Sequence, residues 1–285
     1  SPKNFLGASL DGDQKQAFIG IIAKQLAYFK QCAEQQLGKV VNNAVIGRPV
    51  KFHGTRGEEG NAQAVQIMTE AATKAGFKGV NFLDEPIAAA YKIEQTLPKD
   101  TTTLIVDIGG GTTEIAVIAL NGVVTKEAIR IAGDEMDEAI ILWFRSEHKL
   151  EIGLPTGEAI KKSVGSAMRI KPVTISVKGR DLVSGIPKTI EVSSDEIRQA
   201  MKDPINSIVE AVKHALEKTP PELASDILDR GIIMTGGGSL LKGIDQIIRE
   251  RTNVPVNVAE EPLLSVVRGT GIVLENVKKY EDVLM

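Results

Sequence analysis

An α/β fold in two domains is what this sequence predicts, and three observations carry the prediction. Segments with apolar residues every three to four positions alternate with short apolar runs of strand composition. Two of those runs, at 104–106 and 231–234, lead into Gly-Gly-Gly followed by a hydroxyl residue. At 285 residues, the chain is also long enough for about two domains of roughly 150 residues each.

Taken in order, residues 14–37 read as a first helix, with Phe18, Ile21, Ile22, Leu26 and Phe29 on one period. A strand at 40–46 is closed by Gly47-Arg48-Pro49, and a second helix spans 58–75. A short strand at 80–82 runs into Glu85-Pro86-Ile87-Ala88-Ala89-Ala90. Pro86 suits a first helical turn, where its missing N–H costs nothing. Residues 97–103 are polar, carry Pro98 and read as a linker. The buried strand at 104–106 and a strand at 115–120 flank Asp107-Ile108-Gly109-Gly110-Gly111-Thr112-Thr113-Glu114. Asn121-Gly122 signals a hairpin turn before a strand at 123–131. Helices follow at 134–148 and 155–167, then a β-rich patch over 172–192 broken at Lys178-Gly179-Arg180-Asp181. Ser193-Ser194-Asp195-Glu196 has capping-box form and opens a helix running to 218, ended by Pro220-Pro221. A strand at 231–234, the turn Thr235-Gly236-Gly237-Gly238-Ser239, a helix at 240–251, a strand at 254–258 and a helix at 262–277 complete the chain.

Composition narrows the function. Apolar residues make up 42% and charged residues 25%, with 34 basic against 37 acidic side chains and a net charge of −3. That balance argues against a counterion-release binder of duplex DNA, so no nucleic-acid partner is expected. The lone Cys32 excludes an internal disulfide framework and fits a reducing, cytoplasmic compartment. His53, His148 and His214 are scattered, with no zinc-type spacing. No apolar run approaches the roughly 20 residues of a membrane span, and no signal peptide pattern is visible.

The glycine triplets carry the chemistry. Three glycines after a buried strand let the backbone turn tightly, and their bare N–H groups suit phosphate oxygens. Thr112 and Thr113 add hydroxyl donors, and Asp107 at the strand end can hold a water or a hydrated Mg²⁺. A ligand-free hairpin turn fits the same spacing. The second loop, read as leading directly into a helix, offers a helix N-terminus to an anion, or is an ordinary strand-to-helix turn. Glu85 either orients an attacking water or simply complements a helix dipole. Ala88-Ala89-Ala90 and Arg268-Gly269-Thr270-Gly271 let two helices cross closely, as a hinge or as static packing.

These motifs resemble, in order, those of the actin, DnaK-type chaperone and sugar-kinase superfamily. Residues 107–114 are similar to its second phosphate loop, 235–239 to its adenosine loop, and 85–90 and 268–271 to its two connecting helices. From about 104 onward the chain resembles the bacterial actin homologues of the MreB family. Arg130-Ile131-Ala132-Gly133-Asp134, Pro220-Pro221-Glu222-Leu223-Ala224-Ser225-Asp226-Ile227 and Val258-Ala259-Glu260-Glu261-Pro262-Leu263 carry that likeness. Residues 1–97 resemble a DnaK-like chaperone ATPase domain instead, through Ser1-Pro2-Lys3-Asn4-Phe5-Leu6-Gly7 and Ala44-Val45-Ile46-Gly47-Arg48-Pro49.

The resemblance implies an actin-like, ribonuclease-H-like ATPase fold. It divides the chain into a truncated first domain at 1–132, a second at 133–260 with a small β-rich subdomain, and a closing helix at 261–285 that returns to the first. It implies ATP and Mg²⁺ as cofactors, ATP hydrolysis, filament formation and a role in cell shape. Glu85 would position the hydrolytic water and Asp107 would lie near Mg²⁺. Gly109, Gly110, Gly111, Thr112 and Thr113 would surround the phosphates. Gly133 and Asp134 would lie near the ribose, Lys161 near the purine, and Gly236, Gly237 and Gly238 on the adenosine side. Lys162 and Ser163 depart from the histidine–acid pair expected there. Self-association, morphogenetic membrane proteins and a peripheral place at the inner membrane face are implied as well. The superfamily's first phosphate hairpin, of Asp-x-Gly-Thr/Ser type, has no match, which predicts weakened nucleotide affinity and hydrolysis. A chaperone ATPase domain and a non-hydrolysing structural remnant are the competing readings.

Overall fold

Two parallel strands joined by a helical crossover build the first part of the chain. The structure is a computed structural model that describes residues 6–50, 52, 57–94, 102–119 and 122–285. It divides into two compact units, Ser1–Tyr91 with Val266–Met285, and Lys92–Ser265.

In the first unit, α1 (Gly12–Leu37) opens on a reciprocal cap. The Asp11 carboxylate accepts from the Gln14 N–H at 2.8 Å, and the Gln14 side chain accepts from the Asp11 N–H at 3.1 Å. Gly38 ends the helix with φ +64°, the left-handed conformation that glycine adopts without a Cβ penalty. Strands β1 (Asn43–Arg48) and β2 (Gly79–Asp84) pair in parallel, Asn43 opposite Gly79 and Arg48 opposite Asp84. Parallel strands need a crossover, and α2 (Gly57–Lys74) supplies it. The core between these elements holds Leu6, Ile19, Ala23, Ile67, Met68 and Phe82. Helix α3 (Glu85–Glu94) follows β2 without a break. It meets α10 (Ser265–Glu275) so closely that a Cβ on Gly269 would fall inside the Ala88 carbonyl group. The small-residue motifs at 88–90 and 268–271 therefore form a backbone-to-backbone crossing. The end of the chain returns to the same unit, where Met285 exchanges two backbone hydrogen bonds with Phe82, at 2.9 and 3.1 Å.

The second unit is built on a five-stranded sheet, ordered β10-β9-β3-β4-β5. These strands are β3 (Thr103–Ile108), β4 (Thr113–Ala119), β5 (Gly122–Ile129), β9 (Ile232–Thr235) and β10 (Val256–Val258). β10, β9 and β3 run parallel, while β3, β4 and β5 form an antiparallel meander. β3 and β4 are buried at every residue, the apolar runs at 104–106 and 115–119 together with the polar residues Thr103, Asp107, Thr113 and Glu114. A three-stranded sheet of β6 (Leu150–Glu151), β7 (Thr174–Asp181) and β8 (Pro187–Ser193) stands apart from it. Helices α4 (Gly133–Glu147), α5 (Leu154–Val164), α6 (Ser194–Ala200), α7 (Lys202–Glu217), α8 (Pro221–Arg230) and α9 (Ile244–Thr252) complete the unit. Its core runs from Leu104, Val106 and Ile108 through Met136, Ile140 and Phe144 to Ile208, Val212 and Ile248.

Several expectations are corrected. The boundary expected at 132/133 falls inside the second unit, because β3 pairs directly with β9 and cannot be parted from it. The β-rich patch turns at 182–186, not at 178–181. Gly179 lies within β7, where a Cβ would stand 2.5 Å from the Glu151 carbonyl oxygen, so this glycine marks close strand approach. The helix expected from 195 to 218 breaks at Met201. Pro204 has no N–H for the Ala200 carbonyl and its ring crowds that group. Ser193 does cap α6, with its hydroxyl accepting from the Glu196 N–H at 3.3 Å. Helix α8, started by Pro221 in its first turn, lies where periodicity assigns nothing. Residues 97–101 of the expected linker, and Asn121 of the expected hairpin turn, lie outside the described residues.

Candidate functional site

The two glycine loops meet at one end of the five-stranded sheet. Pairing of β3 with β4 leaves Gly110-Gly111 as a two-residue turn, closed by the Gly109 N–H donating to the Thr112 carbonyl at 2.8 Å. The turn is held from outside by the first residues of α4. The Gly133 N–H donates to the Gly109 carbonyl at 3.3 Å and the Asp134 N–H to the Gly110 carbonyl at 2.7 Å. Two orphan amides of the helix start are thus satisfied by the loop. The packing there is close: a Cβ on Gly110 would lie 3.3 Å from an Asp134 carboxylate oxygen, and one on Gly133 3.2 Å from Lys161 Nζ. Among the described residues, the N–H groups of Gly110 and Gly111 find no acceptor. They are the donors that an anion would meet.

The second loop closes over the end of β3. Thr235 pairs with Asp107 across the parallel ladder. A Cβ on Gly236 would fall within van der Waals contact of the Asp107 carboxylate and the Ile108 carbonyl, and one on Gly238 would strike the Ile108 side chain. Gly236 sits at φ +79°, ψ 168°, a region essentially reserved for glycine. The loop leads not into the expected helix but into a 3-10 turn, Gly237–Leu240, with α9 beginning only at Ile244. Thr235 Oγ1 and the Gly236 N–H both donate to the Pro262 carbonyl, at 2.9 and 3.0 Å, which pins the loop from its other side.

The second unit therefore brings together Asp107, Gly109, Gly110, Gly111, Thr112, Gly133, Asp134, Lys161, Gly236, Gly237 and Gly238. Thr113 does not add the expected second hydroxyl. It is fully buried and its Oγ1 donates to the Ile131 carbonyl at 2.7 Å. Glu85 belongs to the other unit, as the first residue of α3. Asp107 is 7% exposed, and directly across the antiparallel ladder stands Glu114, 1% exposed. Residues directly opposite share a face of the sheet, so two buried acids lie side by side here. Sequence reading leaves Glu114 unassigned, although an acid inside an otherwise apolar strand is a visible signal.

Asp137 is the other residue missed. Lys161 Nζ donates to its Oδ2 at 2.8 Å and to the Gly133 carbonyl at 2.8 Å, tying α5 to the start of α4. Burial pushes the Asp137 carboxyl above the usual range, more strongly than the Lys161 ammonium pulls it down. Its Oδ1 has no hydrogen-bond partner among the described residues. Lys161→Met should cost the second unit about 3 kcal/mol at neutral pH, by leaving a buried carboxylate uncompensated. The folded carboxyl holds its proton more tightly than the unfolded one, so that cost should shrink as pH falls through the raised pKa. Urea unfolding at a series of pH values checks both; a small, pH-independent loss would contradict the pairing.

A parallel core with an antiparallel meander, and two glycine loops closing over the end of its central strand, define an actin-like ATPase fold. The solved structures agree with it. MreB5 of Spiroplasma citri bound to ADP superposes with a TM-score of 0.83 at 30% identity, over 98% of this chain and 80% of that one. The same protein bound to AMPPNP gives 0.75 at 33% identity, over 84% and 69%. A MamK double helical filament gives 0.75 at 21% identity over 96% and 80%, a likeness of fold. The sequence profile described as MreB/Mbl protein matches residues 18–282, and the chain belongs to the MreB/Mbl family. Among curated relatives, the cell shape-determining protein Mbl of Bacillus subtilis is 46% identical over 215 residues. MreB of Escherichia coli K12 is 47% identical over 216 residues. Each alignment takes in 75% of this chain, and the chain spans only 65% and 62% of the two relatives' lengths.

Proposed function

We propose that the chain binds ATP at the paired glycine loops of its second unit and assembles into filaments that serve cell shape. The single observation behind this is the closure of Gly236 over Asp107 beside the open Gly110 and Gly111 amides. It supports a phosphate site whose wall a Cβ would fill. The relatives named for cell shape, and the MreB5 structures holding ADP and AMPPNP, favour the same reading.

ATP, when bound, supplies the phosphoryl group to be transferred. The chain's part is to seat the phosphates against the loop amides and the Thr112 hydroxyl. Gly133 and Asp134 face the ribose, Lys161 the purine, and Gly237 and Gly238 the adenosine side. Among the described residues no three His, Cys, Asp or Glu side chains converge as a metal cage. Mg²⁺ is commonly held by one or two carboxylates together with phosphate oxygens, and Asp107 would be the carboxylate here. Glu85 takes the water-orienting role on its motif. Among the described residues no helix is long and apolar enough to cross a membrane. Contact with morphogenetic membrane proteins at the inner membrane face belongs to this proposal, through the relatives' role in shape.

Pelleting and negative-stain microscopy with Mg²⁺-ATP test the assembly. Filaments that require nucleotide are expected. A nucleotide-binding chain that never pellets would favour the chaperone-type reading of residues 1–97, against which the family match from residue 18 already weighs.

A further inference from the structure

The two open amides of the glycine turn are aimed from outside it. The Gly110 N–H belongs to the peptide group whose other end is the Gly109 carbonyl, and the Gly111 N–H to the group that starts with the Gly110 carbonyl. A trans peptide is planar and points its C=O and N–H in opposite directions, so fixing one end aims the other. Both carbonyl ends are fixed by the start of α4. Gly109 accepts from the Gly133 N–H at 3.3 Å and Gly110 from the Asp134 N–H at 2.7 Å.

The shorter of these bonds continues inward to a charged pair. The Asp134 N–H shares its peptide group with the Gly133 carbonyl, which accepts from Lys161 Nζ at 2.8 Å. The same ammonium donates to Asp137 Oδ2 at 2.8 Å. One line of hydrogen bonds therefore runs from the Asp137 carboxylate through Lys161, the 133–134 peptide and the 110–111 peptide to the Gly111 N–H. A cation on the carbonyl end of a peptide polarises its N–H, and bonds in such a chain strengthen one another. The line to Gly110 ends instead within the helix: behind the Gly133 N–H lies the Ala132 carbonyl, which accepts from the Met136 N–H at 3.3 Å.

Stability alone is a poor reason for the pair. Asp137 is 5% exposed, and its Oδ1 has no hydrogen-bond partner among the described residues. A buried ion pair with an oxygen left unsatisfied commonly gains nothing over apolar packing. We propose that Asp137 is a positioning residue for the phosphate loop: it holds Lys161 on the Gly133 carbonyl, and so aims and polarises the Gly111 N–H that meets a phosphate oxygen. This rests on the nucleotide reading above and deepens it, by assigning that site an outer residue that touches no ligand.

Nucleotide-free Asp137→Asn and Asp137→Ala are compared with the parent by amide NMR, then titrated calorimetrically with Mg²⁺-ATP. Val212→Ala, which opens a cavity at a fully buried position of α7, controls for lost stability. Asp137→Asn keeps the volume and one acceptor, so it supplies a folded sample even where Asp137→Ala does not. The Asp134 and Gly111 amide protons should move upfield in the Asp137 variants, with Gly110 moving less. Affinity should fall about tenfold in Asp137→Ala, the scale on which outer partners act at metal sites, and by less in Asp137→Asn. Val212→Ala should change neither readout. Unmoved Asp134 and Gly111 shifts in folded Asp137→Asn overturn the proposal. Equal movement of Gly110 and Gly111 overturns it too, since that is general loosening, as does unchanged affinity or an equal loss in Val212→Ala. A parent that binds no nucleotide would instead fail the reading of the site, and the shifts would still decide whether Asp137 aims the Gly111 amide.

Discussion

Gly269→Ala should destabilise the first unit by about 3 kcal/mol or more, at the upper end of what overpacking costs. A Cβ at this position would enter the carbonyl group of Ala88, which is backbone and has no rotamer by which to yield. Relief requires α10 to move off α3, and the packing around that crossing moves with it. Tyr91 and Tyr280, whose rings lie 4.6 Å apart in the same unit, would report the loss. Gly271 is the matched control, two positions along the same helix. A Cβ there would have nothing within 4 Å, so Gly271→Ala should stabilise the helix by about 0.5–1 kcal/mol through propensity alone. Opposite signs in urea unfolding are the expected result. Equal, small effects would mean that the helices do not cross at residue 269.

Gly236→Ala should be the most damaging single change at the loops. It meets two penalties together: the backbone at φ +79°, ψ 168° is hostile to any side chain, and the new Cβ would overlap Asp107 and the Ile108 carbonyl. Strain of this kind costs about 1–3 kcal/mol before the overlap is counted. The loop can relieve both only by lifting from β3, which uncovers Asp107. Mg²⁺-ATP affinity should fall by at least about tenfold, roughly 1.4 kcal/mol, with a parallel loss of stability. Gly237→Ala should be mild by comparison. Its Cβ would lie 3.2 Å from the far end of the Leu263 side chain, which can swing aside. If the two variants behave alike, Gly236 is not the residue that seats the loop.

The glycine triplets are legible in the sequence because bare backbone directly after a buried strand has few uses other than close approach. The crossing at Gly269 is legible for the same reason, as small residues opposite small residues. What escapes sequence reading depends on partners far along the chain. Thr103 donates to the Gly231 carbonyl across 128 residues at 3.3 Å, and that pairing of β3 with β9 draws residues 92–132 into the second unit. No local pattern announces it. Asp137 is similarly hidden, since its burial matters only through Lys161, 24 residues further on. The break at Met201 is open to inference, because Pro204 denies the Ala200 carbonyl its donor. Periodicity masks it by continuing through both helices. Thr113 shows the opposite error: a hydroxyl beside a phosphate-type loop invites a ligand role, but its inward position in β4 commits it to Ile131.

Calorimetric titration of Mg²⁺-ATP into this chain, beside Asp107→Ala, tests the central claim most directly. The account predicts micromolar binding to the parent and a loss of at least about tenfold in the variant, with the variant still folded by circular dichroism. No binding to a folded parent, or equal binding to both proteins, would contradict a phosphate site at the paired glycine loops.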